Sequence, residues 1–250
     1  MNVRNHLIEI QCSYRDITDV ARTLVHSIIF FRTHGKFNYK HEGSYSIGTL
    51  GFERATCDYI DFSYIRCSSQ TLINRINAKI QEFVDRLNEF TNSATLAVEF
   101  YTKRPNRWPF NDSKIVWELW NIKLVISPSY TSLPANSEHH HQYQQRYPET
   151  TANRLEDVLS HKLLDIIRIV NSDKCSLPQM PTQQNLDTVF DISHNDLQPY
   201  LYNISYKISE NVPGVHTASG ACSKYADGNV VTDSSTQSSL KKFLLGTLEL

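Results

Sequence analysis

The feature that most constrains the fold is the segment RPNRWPF, residues 104–110, which lies between two runs of alternating hydrophobic residues. The run before it has Leu96, Val98 and Phe100 at every second position. The run after it places these apolar side chains on one face: Val116, Trp120, Ile122, Leu124 and Ile126. A two-residue period is that of a β-strand, whereas prolines cannot donate hydrogen bonds to a sheet. The sequence therefore predicts two strands joined by a proline-containing loop.

The predicted loop carries two large aromatic residues, Trp108 and Phe110, on either side of Pro109. Aromatic rings on a loop whose backbone is restricted by proline suit a binding hot spot, because little entropy is lost when they dock. In the alternative arrangement, both rings fold back and cover the core beneath the loop. The spacing alone favours this second arrangement, since buried tryptophan and phenylalanine are commoner than exposed ones.

Composition and charge exclude several classes of protein. The formal net charge of −1 over 250 residues leaves no basic footprint for nucleic acid or for an anionic membrane. No apolar run reaches the length of a membrane span, and the first residues lack the apolar core of a signal peptide. The five cysteines, an odd number without C-x-x-C spacing, indicate reduced thiols in a cytosolic protein.

Three amphipathic helices are predicted. The first begins after Asp16 and is expected to stop at Gly35, and the second follows the serine pair at 68–69 with an apolar stripe that continues to Phe90. The third runs from about residue 153 to residue 170. Its predicted buried side consists of Leu155, Val158, Leu159, Leu163, Ile166, Ile167 and Val170. Three helices of this kind need a common apolar surface to pack against.

Several further strands are predicted, together with a short helix in TQQNLDTVFD. The strands comprise residues 3–12, 36–50, 57–67, 201–208 and, at the end of the chain, 241–250. Two polar stretches, 127–153 and 210–239, hold too few apolar residues to bury a core and are expected to be flexible insertions. Neither side of these stretches forms a complete domain, which favours one α+β domain over residues 1–250.

The sequence contains no GxSxG elbow, no P-loop and no GxGxxG segment. The dense histidine cluster His139, His140 and His141 is best explained by composition, since consecutive residues on a polar loop rarely close a metal site. No catalytic, cofactor or metal site is predicted. The competing hypothesis is a cytosolic enzyme with a Cys/His site, which a shifted pKa on a Cys–His pair in a pocket would support.

Five blocks of the chain resemble the autophagy-related protein 101 family. They are GKFNYKHEGSYSIGTLG, CDYIDFSYIRCSS, EFYTKRPNRWPF, MPTQQNLDTVFD and LQPYLYNISYKIS, and they follow the family order over most of the chain. The resemblance implies a HORMA domain, a mainly antiparallel sheet backed by three helices. It also implies a heterodimer with the HORMA domain of autophagy-related protein 13, within the autophagy-initiation kinase complex.

The resemblance implies a role for the loop as well. In that family the loop is an exposed finger that recruits downstream autophagy factors, and Trp108, Pro109 and Phe110 are the matching residues. This reverses the preference for burial. The expected protein is a non-catalytic adaptor, cytoplasmic and recruited to the autophagosome formation site.

HORMA pairs commonly meet through the third helix, so its polar face is the expected heterodimer surface. Asp157, His161, Leu164 and Arg168 form that face, and Leu164 is its apolar member. By itself Leu164 is either an ordinary exposed leucine, which is the commoner case, or part of a contact surface. The second polar stretch precedes the last predicted strand, in the region that HORMA proteins use as a mobile seat belt. Both polar stretches look longer than those usual in the family.

Overall fold

The computed structural model describes residues 3–41, 43–88, 90–104, 112–127, 148–172 and 177–210. Within these ranges the strands are β1 (Arg4–Ser13), β2 (Thr33–Gly35), β3 (Phe37–His41), β4 (Ser44–Ile47), β5 (Phe52–Thr56), β6 (Ser63–Cys67), β7 (Thr91–Arg104), β8 (Ser113–Ser127), β9 (Leu197–Pro199) and β10 (Tyr202–Glu210). The α-helices are α1 (Ile17–Phe30), α2 (Gln70–Val84) and α3 (Pro148–Val170), and short 3₁₀ helices span Tyr14–Asp16 and Gln183–Thr188.

The central sheet has the strand order β1-β8-β7-β10. Strands β7 and β8 are antiparallel, as are β10 and β7, whereas β1 runs parallel to β8. The register places Ile122 of β8 opposite both Ile8 of β1 and Leu96 of β7, and places Val98 opposite Ile204. All five side chains are buried, so the predicted alternation is confirmed for them. Val116, which was predicted on the same face as Trp120, is not buried, because the strand pairing shifts next to it.

The three helices pack on the apolar face of this sheet. Helix α1 lies in the middle, in contact with α2, α3 and the strands β1 and β8. Its residues Val20, Leu24 and Ile28 are completely buried, because apolar residues at helical spacing form one continuous stripe. Ile76 of α2 and Leu159 of α3 are buried in the same core. The mixed α+β class with mainly antiparallel pairing is as predicted.

The end of α1 differs from the prediction, because Gly35 does not stop the helix. The last turn closes at Phe30, and the Thr33 hydroxyl donates a 2.7 Å hydrogen bond to the Ile29 carbonyl. Gly35 lies instead in β2, where an added Cβ would lie 1.9 Å from the Gly48 carbonyl oxygen. The glycine is required by this close approach of two backbones.

Two residues assigned to buried helix faces are exposed. Phe90 is 64% exposed because α2 already ends at Val84 and the chain turns before β7, with the Thr91 amide donating to the Asn88 carbonyl. Ile167 is 37% exposed on α3. In both cases the regular spacing of apolar residues in the sequence extends past the part of the chain that is packed against the core.

The boundaries of the remaining elements also shift. Helix α3 begins at Pro148, five residues before the predicted start, so residues 148–153 of the first polar stretch are helical. The predicted strand 36–50 forms the hairpin β3/β4. Of the predicted strand 57–67 only Ser63–Cys67 is a strand, β6, and its partner β5 lies before it in a stretch where no strand was predicted. Residues 128–147 and 211–250, which include most of both polar stretches and the predicted last strand, lie outside the described residues.

Candidate protein-binding surfaces

A β-bulge interrupts the β7–β8 hairpin on the side that leads to the proline-containing loop. The register shifts between Phe100 and Tyr101, so that Glu118 lies opposite Phe100 while Val116 lies opposite Tyr101. Trp117 is the extra residue on β8. As a result, the side chains of Trp117 and Glu118 are both buried. A regular strand would place two consecutive side chains on opposite faces of the sheet.

A buried ion pair holds this bulge against the end of α1. The Arg32 guanidinium donates to both Glu118 carboxylate oxygens, at 2.6 and 2.8 Å, and Glu118 is fully buried. Burial alone would raise the pKa of Glu118, but the hydrogen bonds from Arg32, the His6 ring 3.7 Å away and the nearby charge of Arg4 lower it to about 2. The carboxylate therefore stays ionised and fixes the base of the hairpin.

Beyond the bulge the two strands continue as a two-stranded ribbon. Tyr101–Arg104 pairs with Ser113–Val116, and none of these eight side chains is buried. Ile115 is 38% exposed, and the ammonium group of Lys114 lies 4.7 Å from the centre of a tyrosine ring across the ribbon. The ribbon thus extends past the core and carries the connecting residues at its outer end.

The predicted finger residues belong to that connection. Trp108, Pro109 and Phe110 lie outside the described residues, so the structure leaves their exposure untested. What it does define is the position from which the loop starts, between Arg104 and Ser113 at the exposed end of the ribbon.

The predicted heterodimer face of α3 is exposed. Asp157, His161, Leu164 and Arg168 all lie on the surface of the described chain, and Leu164 is 48% exposed. The Nδ1–H of His161 donates to the Asp157 carbonyl at 2.7 Å, as is usual one turn apart on a helix. Because Ile167 is three residues beyond Leu164, the two apolar side chains are neighbours.

Ile167 is the residue of this face that sequence reasoning missed. Its spacing from Ile166 and Val170 assigned it to the buried side, although its three-residue spacing from Leu164 was a signal for the exposed side. Arg168 pairs with Asp165 at 3.1 Å next to the apolar pair. The face therefore has an apolar centre of two residues with charged groups beside it.

The chemistry of the described residues gives no support to the Cys/His hypothesis. Burial raises the pKa of Cys12 to about 12 and that of Cys67 to about 11, and it also raises the pKa of Cys57. A thiol with a raised pKa stays protonated and is a poor nucleophile. A cavity of about 730 Å³ beside β3 is lined by neither cysteine nor histidine.

No group of three or more possible metal ligands occurs among the described residues, and His139, His140 and His141 lie outside them. None of the described helices is both long enough and apolar enough to cross a membrane.

These features define a class of protein: an α+β fold with three helices on one face of a four-stranded sheet, a partly exposed ribbon, and an exposed helix face that carries two apolar residues. The family model described as autophagy-related protein 101 matches residues 9–184. The chain belongs to the autophagy-related protein 101 family.

Individual relatives agree with this assignment. Autophagy-related protein 101 of Xenopus tropicalis is 37% identical over 214 residues, covering 85% of this chain and 92% of the relative. The Homo sapiens protein of the same name is 35% identical over 212 residues, covering 84% of this chain and 91% of the relative. The Arabidopsis thaliana protein of the same name is 25% identical over 183 residues, covering 69% of this chain and 78% of the relative. The chain is thus an autophagy-related protein.

Proposed function

We propose that this protein is a non-catalytic adaptor subunit of the autophagy-initiation kinase complex. In this proposal its domain is a HORMA domain that forms a heterodimer with the HORMA domain of autophagy-related protein 13. It acts in the cytoplasm and is recruited to the autophagosome formation site. Membership of the autophagy-related protein 101 family supports the proposal, as does the α+β architecture with three helices on one sheet face.

The observation that carries the proposal is the ribbon that leaves the core between the bulge and the loop. A buried, ionised pair fixes its base, and its own side chains are not buried. In this proposal the ribbon supports the finger residues Trp108, Pro109 and Phe110, whose aromatic rings dock with downstream autophagy factors.

The proposed heterodimer surface is the α3 face with Leu164 at its centre. Two adjacent apolar side chains with charged neighbours match the arrangement of a protein interface, in which an apolar centre has a polar rim. Asp157, His161 and Arg168 are then rim residues, and Ile167 joins Leu164 in the centre.

Isothermal titration calorimetry of the full chain with the purified HORMA domain of autophagy-related protein 13 tests the proposal directly. We expect a saturable one-to-one complex. The absence of heat and of co-elution in gel filtration at tens of micromolar would contradict the heterodimer. The finger needs a separate test, because its function does not depend on the same surface.

A further inference from the structure

The cavity beside β3 has a volume of about 730 Å³ and lies between this strand and the 3₁₀ helix Gln183–Thr188. Its apolar lining comes from Phe37 and Tyr39 of β3, from Leu186 of the 3₁₀ helix and from Ile192, which follows that helix in the chain. Ile192 is 51% exposed, so its side chain is available to a ligand. The volume lies within the range of known small-molecule sites.

Two long-range hydrogen bonds fix the walls of this cavity. The Tyr39 hydroxyl donates to the Pro181 carbonyl at 3.1 Å, and the Phe37 amide donates to Gln198 Oε1 at 2.7 Å. The partners are 142 and 161 residues apart in the chain, so each bond joins β3 to a distant segment. A site whose walls are already in place loses less entropy when it binds a ligand.

Gln198 gives the cavity a buried hydrogen-bond donor. The residue lines the cavity, and its exposed fraction is 0%. Its Oε1 already accepts from the Phe37 amide, whereas its Nε2 has no hydrogen-bond partner among the described residues. A buried N–H without an acceptor is unfavourable, and an oxygen atom of a ligand would supply that acceptor.

Lys36 and Asp187 give the cavity two charges of opposite sign. The Lys36 ammonium group donates to the His194 carbonyl at 2.7 Å, and because an ammonium group carries three donors, it can also bind a ligand. Asp187 is exposed on the 3₁₀ helix. A ligand with a single charge would be attracted by one of these groups and repelled by the other. A zwitterion offers a partner to each of them.

We propose that this cavity binds a free α-amino acid with an apolar side chain, such as leucine. The carboxylate of the ligand accepts hydrogen bonds from Lys36 Nζ and Gln198 Nε2, and its ammonium group donates to the Asp187 carboxylate. Its apolar side chain lies against Leu186 and Ile192. The lining of the cavity shares no residue with the α3 face or with the ribbon, so this ligand site goes beyond the proposed adaptor function.

The test is isothermal titration calorimetry of the full chain with L-leucine and with two analogues that each lack one charge. The first analogue, 4-methylpentanoate, has no ammonium group, and the second, 3-methylbutylamine, has no carboxylate. We expect saturable binding of leucine at a single site. Each analogue should bind at least about 10-fold more weakly, because it loses one charge-assisted hydrogen-bond partner while keeping the same apolar side chain.

A second arm changes the protein and keeps leucine as the ligand. Asp187→Asn removes the negative charge at nearly constant shape and should weaken leucine binding at least about 10-fold. The matched control is Asp61→Asn, an exposed aspartate between β5 and β6, which should bind leucine like the wild type. Circular dichroism establishes that both variants fold. The proposal is overturned if tens of millimolar leucine gives no binding, if either analogue binds as well as leucine, or if Asp187→Asn and Asp61→Asn bind leucine equally.

Discussion

Arg32 and Glu118 form a bidentate ion pair in the core, with Arg32 Nε 2.6 Å from one carboxylate oxygen of Glu118. The pair joins the chain just beyond α1 to the bulge on β8, although 86 residues separate the two partners. Their exposed fractions are 3% for Arg32 and 0% for Glu118. Removing one partner leaves an uncompensated charge in the core, which costs more than the pair itself contributes.

Glu118→Ala should lower the free energy of unfolding by about 3 to 5 kcal/mol, because Arg32 then loses its carboxylate. The double variant Arg32→Met/Glu118→Met should recover most of that loss, since well-packed apolar residues can replace a buried pair. Urea denaturation followed by tryptophan fluorescence measures the free energy of unfolding of both variants. A single variant as stable as the wild type would show that the pair is not desolvated in solution.

The lowered pKa of Glu118 also predicts an acid-dependent loss of stability. Because its folded-state pKa of about 2 lies below the ordinary value of 4.5, the stabilisation is complete above pH 4.5 and is lost as the pH falls toward 2. The expected loss is on the order of 3 kcal/mol. Denaturation at a series of pH values gives the free energies of unfolding of the wild type and of Glu118→Gln, and the two should converge as the pH falls through this window. A constant difference between them would contradict the lowered pKa of Glu118.

His26 predicts a second pH effect, in a higher window. Burial, with the charges of Arg66 and Arg22, lowers its pKa to about 4, against the opposing hydrogen bond to Asn77. The neutral ring is therefore the stable form in the folded protein, and stability is lost as the pH falls from 6.5 toward 4. His26→Gln should reduce this pH dependence, which urea denaturation of the variant and the wild type at a series of pH values measures. Equal slopes of unfolding free energy against pH for the two proteins would refute the prediction.

The finger prediction separates a docking element from a core element. If Trp108 and Phe110 are exposed, Trp108→Ala/Phe110→Ala should leave the melting temperature and the binding of the autophagy-related protein 13 HORMA domain unchanged while abolishing recruitment of downstream factors. If they were core residues, the loss would be about 3 to 5 kcal/mol for each. Pro109→Gly should give a milder recruitment defect. A thermal melt together with a recruitment assay distinguishes the two cases. A large fall in melting temperature would show that both rings are core residues.

The α3 face predicts a selective binding defect. Leu164→Glu should weaken the heterodimer by at least 10-fold in calorimetry, because a charge would be buried at the centre of the interface. Leu7→Glu is the matched control, since Leu7 is 66% exposed on β1 and should tolerate the same change. Both variants should melt like the wild type. Equal binding by the two variants would move the interface away from this face.

Local periodicity predicted most of the regular structure. Leu96, Val98 and Phe100 alternate because a strand turns its side chains to opposite faces, and the three helical stripes identified α1, α2 and α3. These patterns are visible in sequence because each depends on neighbours within a few residues. The α3 face was predicted in the same way and is exposed, and Ile167, which was assigned to the buried side, is exposed beside it.

Tertiary contacts decided what the pattern did not contain. Gly35 is required by the approach of Gly48, and Phe37 owes its satisfied amide to Gln198, 161 residues further along the chain. Trp117 and Glu118 are buried together because a bulge in strand pairing changes the facing of β8. A sequence pattern records which side chains are apolar and how they are spaced. Which backbones meet, which carboxylate receives an arginine and which residues line a cavity depend on the complete packing of distant segments.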